Sequence, residues 1–292
     1  MNKGAYTLLI TPFKDNGTLD EENLRKLIIR QIKANIHGLA PLGVTGENTL
    51  LSRDELARVL KIVVEEVNER MPVIPDTCAM GLREAIEKVK LFSDLGATHA
   101  AVYVPFFVRP KQDGIIKFYE ELADKSEIPI IMHNAPGRTC VNMEPPITAH
   151  LAKHHNIVGI KDGNKQLDHL ASIIRLTRNE DFEVFTGKDT TAYPLVCAGG
   201  AGTFTVAGNV VPDVMKDIIE WALSGKKKEA EKLHYEYFYF FEAVRFETNP
   251  MAAKAALELM GLIRGSLRLP LTPLSLKKRE ELKTIMKERG LL

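Results

Sequence analysis

Short apolar runs alternate with longer amphipathic stretches along most of this chain. Runs of four to six apolar residues bounded by turn formers have the length of buried parallel strands. Eight occur: Tyr6–Thr11, Gly38–Leu42, Pro72–Thr77, His99–Val104, Pro129–His133, Ile157–Lys161, Phe182–Thr186 and Gly202–Ala207. The intervening segments repeat apolar residues at helical spacing: Glu21–Ala34, Ser52–Glu69, Leu82–Leu95, Asp113–Lys125, Pro145–His154, Gln166–Leu176 and Thr190–Ala198, with Pro212–Leu223 after the last strand. Ser52 followed by Glu55 forms a capping-box pattern at a helix start. One unbroken series of eight βα units predicts an α/β fold of the (β/α)8 TIM-barrel type. After residue 224 the strand pattern stops. Lys226–Thr248, Pro250–Leu262 and Ser275–Gly290 read as helices. The expected organisation is a barrel over residues 1–224 and a C-terminal helical extension over 225–292.

Composition narrows the function classes. The 292 residues are 45% hydrophobic and 26% charged, with 39 basic and 38 acidic side chains and a formal net charge of +1. Such a balance gives no footprint for nucleic acid or an anionic membrane. No stretch nears the ~20 apolar residues of a membrane span, and the N-terminus lacks a signal-peptide pattern. Cys78, Cys140 and Cys197 are far apart and lack metal-ligand spacing, which fits a reduced, cytoplasmic compartment. His154 and His155 end a helix without partner ligands. No G-x-G-x-x-G follows the first strand and no G-x-x-x-x-G-K-[ST] occurs, so dinucleotide and P-loop readings lose their main support.

In a barrel the chemistry lies at the C-terminal ends of the strands. Lys161 ends the sixth strand and is followed at once by Asp162 and Gly163. A lysine there can form a Schiff base with a carbonyl substrate. Taken singly, a solvated lysine is the plainer reading, because lysines are rarely buried. Three further strand ends carry usable groups. Gly43-Val44-Thr45-Gly46-Glu47-Asn48 offers backbone N–H groups and the Thr45 hydroxyl to a small carboxylate. His133, ending the fifth strand, is an acid or base suited to neutral pH. Arg138 presents a planar fork for a second carboxylate. Gly187-Lys188-Asp189 follows the seventh strand. Each also has a plainer role alone: a strand-to-helix turn, a buried structural histidine, a loop ion pair.

Together these segments resemble the dihydrodipicolinate synthase / N-acetylneuraminate lyase family of class I aldolases and lyases. The likeness runs through Ala5–Phe13, Gly43–Glu47, Tyr103-Val104-Pro105-Phe106-Phe107, Asn134–Thr139, Gly159-Ile160-Lys161-Asp162, and Asn249-Pro250 onward to Leu269–Leu274. It implies the same barrel with a helical extension, a covalent imine between Lys161 and pyruvate or a related 2-oxo acid, and no other cofactor or metal. It implies that Thr45 and the adjoining backbone hold the 2-oxo acid carboxylate. The expected substrate-binding set is Val44, Thr45, Arg138, Gly187 and Thr203. Family members are commonly tetramers built from dimers, so a homotetramer or homodimer is expected.

Pro136-Gly137-Arg138-Thr139 resembles the synthase branch most closely, where the arginine helps bind aspartate semialdehyde. The chain departs from that branch at its proton relay. Val44-Thr45 stands where a Thr-Thr pair is usual, His133 where a tyrosine is usual, and Phe107 lacks the hydroxyl of a second tyrosine. Gly187-Lys188 replaces a glycine-aspartate pair. The leading expectation is therefore condensation of pyruvate with an aldehyde through Lys161, with His133 as the proton shuttle. A 2-keto-3-deoxy sugar acid aldolase stays open, as does another lyase or dehydratase, since dehydratases of the family share Lys-Asp-Gly. A non-catalytic paralogue that binds a 2-oxo acid is the alternative of another class. Retention of Lys161 speaks against it, because binding alone needs no imine. Catalysis requires Lys161 to be largely neutral. Moving a lysine from about 10.4 to about 7 asks for about 4–5 kcal/mol, which desolvation can supply.

Overall fold

The computed structural model describes residues 1–164 and 166–292. Eight parallel strands form one sheet: β1 (Gly4–Leu8), β2 (Gly38–Ala40), β3 (Asp76–Thr77), β4 (Ala100–Tyr103), β5 (Ile130–Asn134), β6 (Ile157–Asp162), β7 (Glu183–Thr186) and β8 (Gly202–Thr205). Their order is β2-β1-β8-β7-β6-β5-β4-β3. The ring closes between β2 and β3 through a parallel bridge from Leu39 to Val73. Ile74 N–H donates to Leu39 O at 2.8 Å and Asp76 N–H to Pro41 O at 3.0 Å across the same seam. A helix or helical turn follows each strand, which is what parallel pairing demands of its crossovers. The expected (β/α)8 barrel is the fold observed.

Inward side chains fill the barrel rather than leaving a pore. Tyr6, Phe185 and Phe204 meet inside it, with ring centroids 5.2 to 5.6 Å apart. β1 and β8 approach very closely at their first residues. A Cβ on Gly202, whose φ is +147°, would lie 1.9 Å from Gly4 O. Only glycine fits there, and this pairing starts β1 at Gly4, two residues before the hydrophobic run suggested. β3 is shorter than the apolar run 72–77, because Pro72 and Pro75 have no N–H to give to a ladder. Outside the sheet, the helix Arg53–Val67 shows both arms of its capping box, Glu55 N–H to Ser52 Oγ at 3.2 Å and Ser52 N–H to Glu55 Oε2 at 2.9 Å. It lays Val59, Leu60, Ile62, Val63 and Val67 into the core.

The stretch 226–248, expected as one helix, is two: Lys227–Glu236 and Phe238–Ala243. Tyr237 leaves helical geometry at φ −97°, ψ 3°, and the second piece then buries Phe240, Phe241 and Ala243. Past Ala243 the chain crosses the C-terminal mouth of the barrel before the helix Met251–Leu259. Lys254 of that helix is fully buried, 2.5 Å from Glu47 Oε1 beside β2, and also donates to Ser266 O at 2.8 Å. Arg268 pairs with Glu55 and donates to Gly17 O and Leu50 O. The extension is thus fastened to the loops that frame the strand ends.

Candidate active site

Register in a parallel sheet decides which side chains share a face. Tyr103 pairs with His133, His133 with Lys161, and Lys161 with Phe185, so four adjacent strands present one row toward the barrel axis. Lys161 is 4% exposed, and its Nζ lies 5.3 Å from the Phe204 ring centre. Asp76, from the short β3, reaches up from the layer below. Its Oδ2 is 2.9 Å from Lys161 Nζ and 2.9 Å from His133 Nδ1. Lys161 Nζ and His133 Nδ1 are themselves 3.5 Å apart. The Tyr103 ring covers His133, with centroids 3.8 Å apart. A lysine, a histidine and a carboxylate are therefore enclosed together at the top of the barrel.

Burial dominates their protonation. It pushes Lys161 below the usual lysine range, and the adjacent Asp76 offsets only part of this. Burial also pushes His133 below the ordinary histidine value, again partly offset by Asp76. Burial alone would raise Asp76, but the charge interactions and hydrogen bonds with His133 and Lys161 outweigh it and hold the carboxyl below its ordinary range. At neutral pH Asp76 is the anion of the trio and His133 is neutral. With an ionised carboxylate at Nδ1, the imidazole carries its proton there and keeps a lone pair on Nε2.

The opposite wall comes from the turn after β2. Gly46 N–H donates to Gly43 O at 3.0 Å, and Glu47 takes a left-handed φ of 55°, which curls the turn around Thr45. Thr45 Oγ1 accepts from Asn249 Nδ2 at 2.9 Å. Its own hydroxyl hydrogen is left to donate to a ligand. Behind the sixth strand, Asp162 accepts from Asn134 Nδ2 at 2.8 Å and from Asn164 N–H at 2.6 Å, which fixes the strand end that carries Lys161. These elements enclose a cavity of about 660 Å³.

Of the residues singled out in the sequence, Lys161, His133, Val44, Thr45, Arg138 and Gly187 line this cavity. Two expected residues do not. Thr203 is fully buried and spends its hydroxyl on Thr186 O at 3.2 Å. Phe107 is 86% exposed on the loop after β4, so the relay position assigned to it lies outside the cavity. Phe106 instead faces an adjoining pocket of about 240 Å³. Four site residues escaped the sequence reading: Asp76, Tyr103, Arg245 and Asn249. The Asp76 carboxylate inside an otherwise apolar run was the one local signal available. Among the described residues no three potential metal ligands converge.

A parallel barrel with a buried, carboxylate-paired lysine at the C-terminal end of its sixth strand defines a class of protein, the lysine-dependent lyases that act on carbonyl compounds. The particular family follows from comparison. Residues 1–289 match the model of the dihydrodipicolinate synthetase family, and the chain belongs to that family. It is 38% identical over 288 residues to a 4-hydroxy-tetrahydrodipicolinate synthase of Methanospirillum hungatei, covering 98% of this chain and 99% of the relative. It is 40% identical to the enzyme of the same name from Syntrophus aciditrophicus, over all of both chains. Among solved structures, dihydrodipicolinate synthase from Thermotoga maritima superposes over all of both chains with a TM-score of 0.98 at 35% identity. The chloride-inhibited synthase from Acinetobacter baumannii, complexed with pyruvate, does so with a TM-score of 0.97 at 34% identity.

Proposed function

We propose that the protein is a pyruvate-dependent Schiff-base lyase that joins pyruvate to an aldehyde, with 4-hydroxy-tetrahydrodipicolinate synthase chemistry on aspartate semialdehyde as the leading assignment. The observation that carries it is the Asp76–Lys161–His133 cluster. Neutral Lys161 Nζ adds to the C2 carbonyl of pyruvate, forming a carbinolamine. Loss of water gives a protonated imine, and removal of a C3 proton gives an enamine. The enamine carbon then bonds to the aldehyde carbon, and water releases the product from Lys161. Asp76, in contact with Nζ, takes and returns the proton of the amine steps. His133 Nε2 takes the C3 proton. Thr45 and the backbone of its turn hold the pyruvate carboxylate, and Arg138 takes a carboxylate of the aldehyde. Asp76 and His133 so replace the hydroxyls that Val44, His133 and Phe107 do not supply.

Relatives named 4-hydroxy-tetrahydrodipicolinate synthase over the full length, and a pyruvate-complexed structural neighbour, support this assignment. One observation favours a second reading, reversible cleavage of a 2-keto-3-deoxy acid. The described cavity wall offers no carboxylate to the ammonium group of aspartate semialdehyde. A non-catalytic binding role is disfavoured, because holding a 2-oxo acid needs no lysine buried against a carboxylate. The proposal includes a cytoplasmic homotetramer or homodimer. A structural relative 35% identical to this chain is described as a monomeric variant, so assembly within this fold varies.

Proton NMR of pyruvate in D2O tests the reading without a second substrate. The expected result is enzyme-dependent deuteration of the methyl group, faster turnover with aspartate semialdehyde than with 2-keto-3-deoxygluconate, and neither activity in Lys161→Ala. Methyl protons that do not exchange, together with no turnover of either compound, would rule the reading out.

A further inference from the structure

Tyr103 is the one ionisable residue of the Lys161 row that the proposed chemistry leaves without a task. It ends β4, pairs in register with His133 and is 4% exposed. Its ring lies against the imidazole, tilted by 35° with centroids 3.8 Å apart. With Val44, Arg138 and Asn249 it lines both the main cavity and the adjoining pocket, so it stands at their junction. Two other buried tyrosines spend their hydroxyl hydrogens on backbone carbonyls, Tyr6 on Asn2 O at 2.6 Å and Tyr119 on Val102 O at 2.7 Å. Tyr103 is placed differently. The Val44 backbone N–H and the Arg138 guanidinium both act on its oxygen and favour negative charge there. A phenol oxygen that accepts still has its own hydrogen to donate. Burial, and after it the charge of Asp76, raises this phenol well above its ordinary value. At neutral pH it is therefore a proton donor and not a base. Position supplies the task. The enamine carbon forms on Lys161, and Arg138 takes the far carboxylate of the aldehyde. The aldehyde carbonyl then lies between these two groups, and so does Tyr103, beside His133 in the Lys161 row and within reach of the Arg138 charge.

We propose that Tyr103 is a further catalytic residue, whose hydroxyl binds the aldehyde oxygen and gives it a proton as the carbon–carbon bond forms. The inference deepens the Schiff-base reading and rests on it. The enamine electron pair makes the new bond to the aldehyde carbon, the C=O pair moves onto oxygen, and that oxygen takes the Tyr103 proton. The proton that His133 removed from C3 then restores the phenol, so both side chains end the step as they began it. A donor already aimed at the oxygen where charge develops needs no rearrangement at the moment of reaction. His133 thus works at carbon and Tyr103 at oxygen.

Tyr103→Phe tests this, because it keeps the ring against His133 and removes only the hydroxyl. Two reactions are measured on the same protein. Deuteration of the pyruvate methyl group ends at the enamine, whereas turnover with aspartate semialdehyde or 2-keto-3-deoxygluconate also makes or breaks the carbon–carbon bond. The ratio of turnover to deuteration is expected to fall by about 10²–10⁴-fold in the variant, the reach of a general acid. A tyrosine that merely supports His133 would lower both reactions together, and that result would overturn the proposal, as would an unchanged turnover. Should Tyr103→Phe not fold, Tyr103→Met carries the same comparison, since methionine adapts to irregular buried space. Wild-type protein that neither deuterates pyruvate nor turns over either compound would sink the Schiff-base reading and this proposal with it. Wild-type protein that deuterates pyruvate but turns over neither compound would overturn the proposal alone, because no aldehyde oxygen is then left to protonate.

Discussion

Asp76 is the residue on which the chemistry of Lys161 turns. A lysine buried at the barrel mouth loses its proton more readily, and a carboxylate 2.9 Å away partly restores it. Removing that charge in Asp76→Asn should lower the Lys161 pKa further. The sign is then set: imine formation needs neutral lysine, so its rate rises with pH through the lysine pKa, and the rising limb moves to lower pH in the variant. Borohydride trapping across pH measures it; a limb that moves up would contradict the role given to Asp76. In His133→Phe, methyl deuteration should fall by about 10²–10⁴-fold, the usual reach of a general base. His133→Tyr should retain part of it, and full activity in both variants would remove His133 from the shuttle. Lys161, His133, Thr45 and Arg138 were legible in the sequence because each ends, or closely follows, a recognisable strand. Asp76 was not, because the run 72–77 reads simply as a strand, and an aspartate next to the last residue of a run reads as a turn former. Arg245 and Asn249 were hidden for another reason: only folding brings them from a distant segment to the mouth.

At the level of elements, the turn after β2 owes its shape to the helix Met251–Leu259. Glu47 and Lys254 are both fully buried and face each other. Removing one partner of such a pair leaves an uncompensated charge, so Lys254→Met should destabilise by about 3–5 kcal/mol in urea unfolding. Adding Glu47→Gln should recover a large part of that loss. Burial brings Lys254 down to about 8, the Glu47 partner only partly opposing it. Between pH 8 and the ordinary lysine value the unfolded chain then binds more protons than the folded one. This residue's contribution to stability therefore rises with pH across that window. The double variant should show a flatter dependence there, and an unchanged slope would contradict the assignment. Most helices were legible because their apolar stripes are regular: Pro212–Leu223 ends where the pattern places it. The break at Tyr237 was not, since the residues on both sides keep helical spacing and only the burial of Phe240 and Phe241 demands a change of direction.

Across the whole molecule, the barrel topology was the most legible feature, because eight strand-helix alternations leave little choice once parallel pairing is required. What patterning could not reveal is that the extension supplies part of the cavity wall, through Arg245, Thr248 and Asn249. Assembly is a property of the same scale. Phe107 and Val108 are 86% and 67% exposed on the loop after β4. Sedimentation of the protein should show a dimer or tetramer, and Phe107→Asp with Val108→Asp should shift it toward monomer. A monomer at every concentration would remove assembly from the account. The central claim, a covalent imine at Lys161, meets its most direct test in one measurement: incubation with pyruvate and borohydride, followed by mass analysis of the peptides. The account requires a reduced pyruvyl adduct on Lys161 that disappears in Lys161→Arg. An adduct on any other lysine, or none with pyruvate or with 2-oxo sugar acids, would contradict it.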